Sequence, residues 1–172
     1  MIGAVVGNGP SKHRFETRGH GAYDYVLGCN IPGIHVDATI ILDEEIAHII
    51  GINPSLIECP IIISKKARIV LEKYTSSYSK FDIIEEFNHD ADSWLNAGHY
   101  AAMYLIGLGC TKIDIWGCDS IFDNSIASST DKLVKKEDTT DARFYKNWRK
   151  LWDGIFKNNS TVKFEIKQFN RG

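Results

Sequence analysis

The stretch Ile2-Gly3-Ala4-Val5-Val6-Gly7-Asn8-Gly9-Pro10-Ser11 is a short apolar run that stops on a turn. Such a run, closed by Gly, Asn, Pro and Ser, reads as a buried strand feeding a tight turn. The pattern then repeats along the chain. Residues 23–27 close on Gly28-Cys29-Asn30, 38–42 on Asp43, 60–63 on Ser64, and 113–116 on Gly117-Cys118-Asp119. Continuous apolar runs, rather than strict alternation, suit parallel strands covered on both faces. Between them lie helical spacings: 44–50 with Ile46, Ala47, Ile49 and Ile50 on one side, and 97–108 with Ala101, Ala102, Leu105, Ile106 and Leu108. Gly109 is the expected residue just past the second helix. A last helix over 142–156 places Phe144, Trp148, Leu151, Trp152 and Ile155 at helical spacing, and 162–166 reads as a final strand. Alternating strands and helices predict an α/β class: one domain over 1–172, a mostly parallel sheet flanked by helices. The polar stretch 120–141 is the expected mobile loop or lid.

Composition narrows the function classes. The chain has 172 residues, with 20 Lys+Arg against 22 Asp+Glu and a net charge of -2. A nucleic-acid binder working by phosphate neutralisation carries a basic excess, so nucleic acid is not an expected partner. The most apolar stretches fall far short of the ~20 residues needed to cross a bilayer, so no membrane partner is expected either. The N-terminus lacks the basic region of a signal peptide and reads as the first strand. The four cysteines (Cys29, Cys59, Cys110, Cys118) form no CxxC pair and no zinc-like spacing. They are expected to be reduced and buried, in a cytoplasmic protein without a bound metal.

In an open parallel sheet, ligands bind outside the carboxyl ends of the strands, at the point where strand order reverses. The polar residues expected there are Asn8 and Ser11, Asn30, Asp43, Ser64 and Asp119. The helix beginning Asn96-Ala97-Gly98-His99 brings its N-terminus to the same edge, where backbone amides favour an anion such as phosphate. Together these groups would suit a nucleotide or a sugar phosphate. Each has a plainer alternative. Gly7 to Ser11 has GxG spacing but Lys12 in place of a third glycine, lacks a P-loop lysine, and loses one donor at Pro10, so a simple tight turn competes with a ligand loop. Asp43 would serve equally as a helix N-cap. Asp119 could bind a metal, contact a ribose, or close a turn. His99 could contact phosphate or face solvent in a first turn. His89 with Asp90 and Asp92 has metal-ligand chemistry in a polar loop, and Trp148 with Trp152 reads as core or a partner surface.

Val5-Val6-Gly7-Asn8-Gly9-Pro10-Ser11, then Cys29-Asn30, then the run from Asn96 to Asp119 resemble the bacterial sialyltransferase family typified by the Campylobacter enzymes. The same blocks recur in the archaeal pterin diphosphokinase group and in small bacteriophage proteins, which this chain is most similar to in size. The resemblance implies a Rossmann-like fold and a nucleotide pocket. Carried over to this sequence, it nominates Gly7, Asn8, Gly9, Ser11, Asn30 and Gly98 as the residues that would hold a nucleotide or nucleotide sugar of the cytidine monophosphate type. It also implies a location in the host cytoplasm for a phage-encoded chain.

Two departures bear on chemistry. The family's serine before the helix glycine is Ala97 here. Its late general-base histidine is missing, because all six histidines (His13, His20, His35, His48, His89, His99) precede the 113–116 strand. A general base must lie within reach of the acceptor with a pKa near the working pH. Asp119, Asp43 and His99 are the remaining catalytic candidates; otherwise the chain does not transfer sialic acid, which is the favoured reading. Three expectations stand: a nucleotide-sugar transferase-like protein, a phage accessory protein that binds a ligand or a host or virion protein without catalysis, and a diphosphokinase-like transferase requiring Mg²⁺.

Overall fold

The computed structural model describes residues 1–18, 20–122 and 142–167. The strands are β1 (Ile2–Val6), β2 (Tyr25–Cys29), β3 (Ala38–Ile41), β4 (Ile61–Ser64), β5 (Ile83–Phe87), β6 (Lys112–Trp116) and β7 (Lys163–Ile166). They form one seven-stranded sheet in the order β5-β4-β3-β2-β1-β6-β7, and every pair is parallel. The helices are α1 (Lys12–Arg18), α2 (Glu44–Ile52), α3 (Lys65–Glu72), α4 (Thr75–Tyr78), α5 (Ala97–Gly107) and α6 (Ala142–Asn158). The architecture is that of a Rossmann-like α/β domain.

The helices divide between the two faces. Ala101, Ala102 and Leu105 of α5 pack with Trp152 and Ile155 of α6 over Val5, Leu27, Ile40, Ile113 and Ile115. On the other face, α2 and α3 bury Ile46, Ala47, Ile50, Ala67, Val70 and Leu71 against Ile41, Ile61 and Ile63. Phe15 of α1 seats beside Trp116 and Val26 on that same side of β1. Val5 and Val6 therefore face opposite layers and both are fully buried, as continuous apolar runs require. Among the described residues, no helix is long and apolar enough to cross a membrane.

Several elements lie outside the apolar pattern. β5, Ile83-Ile84-Glu85-Glu86-Phe87, is an edge strand whose three central residues are exposed, so it carries no buried run. Helix α1 presents few apolar residues, and α3 is short. The second strand starts two residues later than 23–27 because Tyr23 and Asp24 serve other purposes. The Tyr23 hydroxyl donates to Asp114 Oδ2 (2.8 Å) and accepts from Trp116 Nε1 (2.9 Å), while Asp24 Oδ2 takes the Ile2 amide (2.7 Å). Gly109, at φ +96°, follows α5 as expected. The final helix extends to Asn158; the side chain of Phe144 and, of the stretch 120–141 expected as a loop or lid, residues 123–141 lie outside the described residues.

Candidate functional site

Strand order reverses at β1. From β1 the chain builds outward through β2, β3, β4 and β5, then returns to the other side of β1 as β6. The carboxyl ends of β1 and β6 thus flank the switch point, and the sequence places Gly7–Ser11 on one and Gly117–Asp119 on the other. These two turns interlock. The Gly7 amide donates to the Trp116 carbonyl (2.8 Å) and the Gly9 amide to the Gly117 carbonyl (2.7 Å). A Cβ on Gly7 or Gly9 would sit 2.6 or 2.7 Å from the Gly117 carbonyl oxygen, and Gly117 itself has φ +67°. The glycines of the GxG spacing are therefore required by backbone-to-backbone contact within the protein.

Ser11 and Asp119 complete this closure. The Ser11 amide donates to Asp119 Oδ2 (2.9 Å), and its hydroxyl donates to Asp119 Oδ1 (2.5 Å) while accepting from the Gly117 amide (2.9 Å). Ser11 is inaccessible and Asp119 only 5% exposed, so both spend hydrogen bonds on holding the two turns together. Asp119 also opens a 3₁₀ turn, Asp119–Ile121, whose Ser120 carbonyl accepts from Arg149 Nε of α6 (2.8 Å).

Lys12, which displaces the third glycine of a dinucleotide loop, has a role that the spacing did not reveal. Its Nζ is buried and donates to Asn8 Oδ1 (3.2 Å) and to the Pro32 carbonyl. Asn8 Nδ2 in turn donates to the Cys29 carbonyl (2.7 Å). The turn after β1 is thereby tied to the chain leaving β2. Asn30, next along, adopts φ +53°, a left-handed conformation that asparagine tolerates better than most residues. Its Oδ1 is buried and has no hydrogen-bond partner among the described residues.

Helix α5 begins at the same edge. Asn96 caps it: Asn96 Oδ1 accepts from the His99 amide (3.1 Å), and the Asn96 amide donates to His99 Nδ1 (2.9 Å). Because Nδ1 accepts, the imidazole proton resides on Nε2, which donates to the Trp148 carbonyl of α6 (3.1 Å). His99 is inaccessible, and burial pushes its pKa down to about 4. With both ring nitrogens committed and the ring held neutral, His99 locks α5 to α6 and has no free nitrogen to offer a phosphate or an acceptor hydroxyl. The catalytic and phosphate-contact readings of this residue thus yield to a structural one. Gly98 is packed closely as well. A Cβ there would lie 3.1 Å from Cys118 Sγ and 3.2 Å from Trp152 Cζ2. Trp152, 1% exposed, packs at a tilt on His99 at 4.7 Å, and its Nε1–H is buried with no partner among the described residues.

The structure brings Gly7, Asn8, Gly9, Ser11, Asn30, Gly98 and Asp119 to one end of the sheet. It does not bring Asp43 there: at the end of β3 it lies two strands from β1, on the order of 10 Å away at ordinary strand spacing. Asp43 is exposed at the N-cap of α2, where its side chain makes no capping bond. Ser64 caps α3, its Oγ accepting from the Ala67 amide (3.2 Å) and donating to the Leu42 carbonyl (2.6 Å). His89 bonds Tyr100 (2.8 Å), and Asp90 turns back onto the Asp92 amide. Among the described residues, no group of three His, Cys, Asp or Glu could hold a metal. The four cysteines are free thiols: Cys29 and Cys110 are buried, Cys59 and Cys118 only partly so. Burial raises the Cys29 and Cys118 pKa values, so these thiols at the crevice are not nucleophilic thiolates.

Lys12 and Trp152 are the two residues the sequence reading did not place at this site. A lysine directly after Gly-Pro-Ser signals the first only in retrospect, and nothing in the spacing of α6 signals the second. Compared with protein-family models, with curated proteins and with solved structures, the chain matches none.

Proposed function

We propose that this protein binds a phosphorylated small molecule, a nucleotide or nucleotide sugar, at the crevice where β1, β2 and α5 end or begin, and that it acts by binding rather than by transfer. One observation carries this reading. Among the described residues, Asn30 Oδ1, just past the carboxyl end of β2, is buried without a hydrogen-bond partner, and so is Trp152 Nε1 of α6, the helix that packs on the start of α5. A buried donor or acceptor left unpaired costs about 1–3 kcal/mol, so such atoms are normally satisfied. The capping box uses the amides of Asn96 and His99, and those of Ala97 and Gly98 point along the helix axis at its positive end. An acceptor-rich group fits the helix start, and a hydroxyl or amino group fits Asn30.

The preference for binding over transfer rests on the committed state of the catalytic candidates. His99 is neutral with both nitrogens engaged, Asp119 is bonded by Ser11, and Asp43 lies at another strand end. A thermal-shift panel of CMP, CDP, UDP, GDP, ATP and nucleotide sugars, with and without Mg²⁺, tests the reading. Stabilisation by at least one member is expected. No stabilisation at millimolar concentration would refute it, and product formation from a nucleotide sugar would restore the glycosyltransferase reading. A magnesium-dependent ATP effect would favour the diphosphokinase-like one.

A further inference from the structure

We propose a second ligand site, separate from the crevice: a cleft beside the β2–β3 crossover that takes a small amphipathic amine. The other crossovers on this side of β1 carry a helix, α1 before β2, α2 before β4, and α3 with α4 before β5. Residues 30–37 pass from β2 to β3 with none. Asn30 (φ +53°) and Gly33 (φ +66°) bend this segment in left-handed conformations. A cleft of about 610 Å³ lies between 31–37 and 55–60, beside this crossover. That size is typical of sites for small organic ligands, roughly 300–1,000 Å³.

The chemistry of the lining selects the ligand class. Ile31, Val36 and Ile57, all buried, present an apolar wall backed by the sheet core. The charged side chains that line the cleft are the carboxylates Asp37 and Glu58, accompanied by His35; no lysine or arginine is among them. Asp37 is held in place by the Val26 amide (2.7 Å), His20 Nε2 lies 3.1 Å from it without a hydrogen bond, and the His20 ring packs at a tilt against His35 at 4.8 Å. Lys12 approaches Gly33 but does not line the cleft; its Nζ is buried and bonded to the Pro32 carbonyl. An apolar body against the isoleucines with an ammonium toward Glu58 and Asp37 satisfies both halves of the lining. A carboxylate on the same body would meet like charge.

The test is an amide-resolved NMR titration of the full chain with 4-phenylbutylamine and, separately, 4-phenylbutyrate. The amine is expected to shift the amides of 31–37 and 55–60 and to saturate. Glu58→Gln should weaken it about threefold, the effect of one exposed ion pair, and Ser55→Phe, an exposed change at the cleft, should abolish it. Absence of saturable shifts, shifts scattered over other apolar surface such as Met103 and Leu108, or equal binding of the carboxylate would each overturn the proposal. Neither probe is a phosphorylated compound, so the outcome is independent of the crevice reading.

Discussion

The two sides of the switch-point crevice are built on opposite principles. On the β1–β6 side, Ser11 and Asp119 answer one another, and Gly7, Gly9 and Gly117 let two backbones touch. On the other side, Asn30 Oδ1 after β2 and Trp152 Nε1 of α6, packed on the start of α5, are buried and unanswered among the described residues. The conspicuous polar residues of the sequence thus build the frame, while an asparagine after β2 and a tryptophan in the last helix are among the described residues whose buried polar atoms stay unpartnered. Perturbing the first side should cost stability, and perturbing the second should cost ligand binding.

The largest expected effect is on the interlocked turns. Gly117→Ala puts a Cβ onto the Gly7 carbonyl at a residue with φ +67°, so both conformation and space oppose it. A loss of at least ~3 kcal/mol in urea unfolding is expected. Gly98→Ala, whose neighbours stand at 3.1 and 3.2 Å, should cost only about 1–2 kcal/mol. Equal losses at the two glycines would break the contrast.

The His99 lock should appear as a pH dependence. Its folded pKa of about 4 lies below the ordinary histidine value of 6.5. Below pH 6.5 the unfolded chain takes up a proton that the folded protein refuses. Stability is therefore full above pH 6.5 and falls as pH drops toward 4, by roughly 3 kcal/mol over the window. Denaturation measured from pH 7.5 to 4 checks the slope, and His99→Gln should lower stability throughout while removing this contribution.

A smaller effect is expected from Asp119→Ala, which strands the buried Ser11 amide and hydroxyl and should cost about 2 kcal/mol. A change below about 0.5 kcal/mol would show that this carboxylate does not hold the turns together. The smallest change in stability belongs to Asn30→Gly. Glycine accepts φ +53° and removes the unpaired oxygen, so stability should stay within about 0.5 kcal/mol. The same variant should lose most of the thermal shift given by whichever nucleotide stabilises the wild type. Retained binding would move the ligand away from β2.

Much of the fold was legible because parallel strands buried on both faces leave unbroken apolar runs. Val5-Val6 and Ile61-Ile62-Ile63 state their burial outright. β5 was illegible for the converse reason: an edge strand with Glu85 and Glu86 exposed obeys no burial pattern. The candidate site was legible as a set of strand ends, since Gly7 to Ser11, Asn30, Gly98 and Asp119 lie at one end of the sheet. Their roles were not. An aspartate just past a strand yields a turn brace in Asp119 and an exposed N-cap in Asp43, and the residues between strand and aspartate do not say which.

By itself, the sequence determined the class of architecture, the strand ends at which polar groups collect, and the helix start that joins them, because periodicity and turn chemistry act over a few residues. Only the tertiary structure decided which of those groups remain available. Ser11 meets Asp119 across 108 residues of sequence, and His99 meets the Trp148 carbonyl across 49. A hydrogen bond is spent by whatever partner the fold delivers, and that partner is set by strand order and helix packing rather than by its neighbours in the chain.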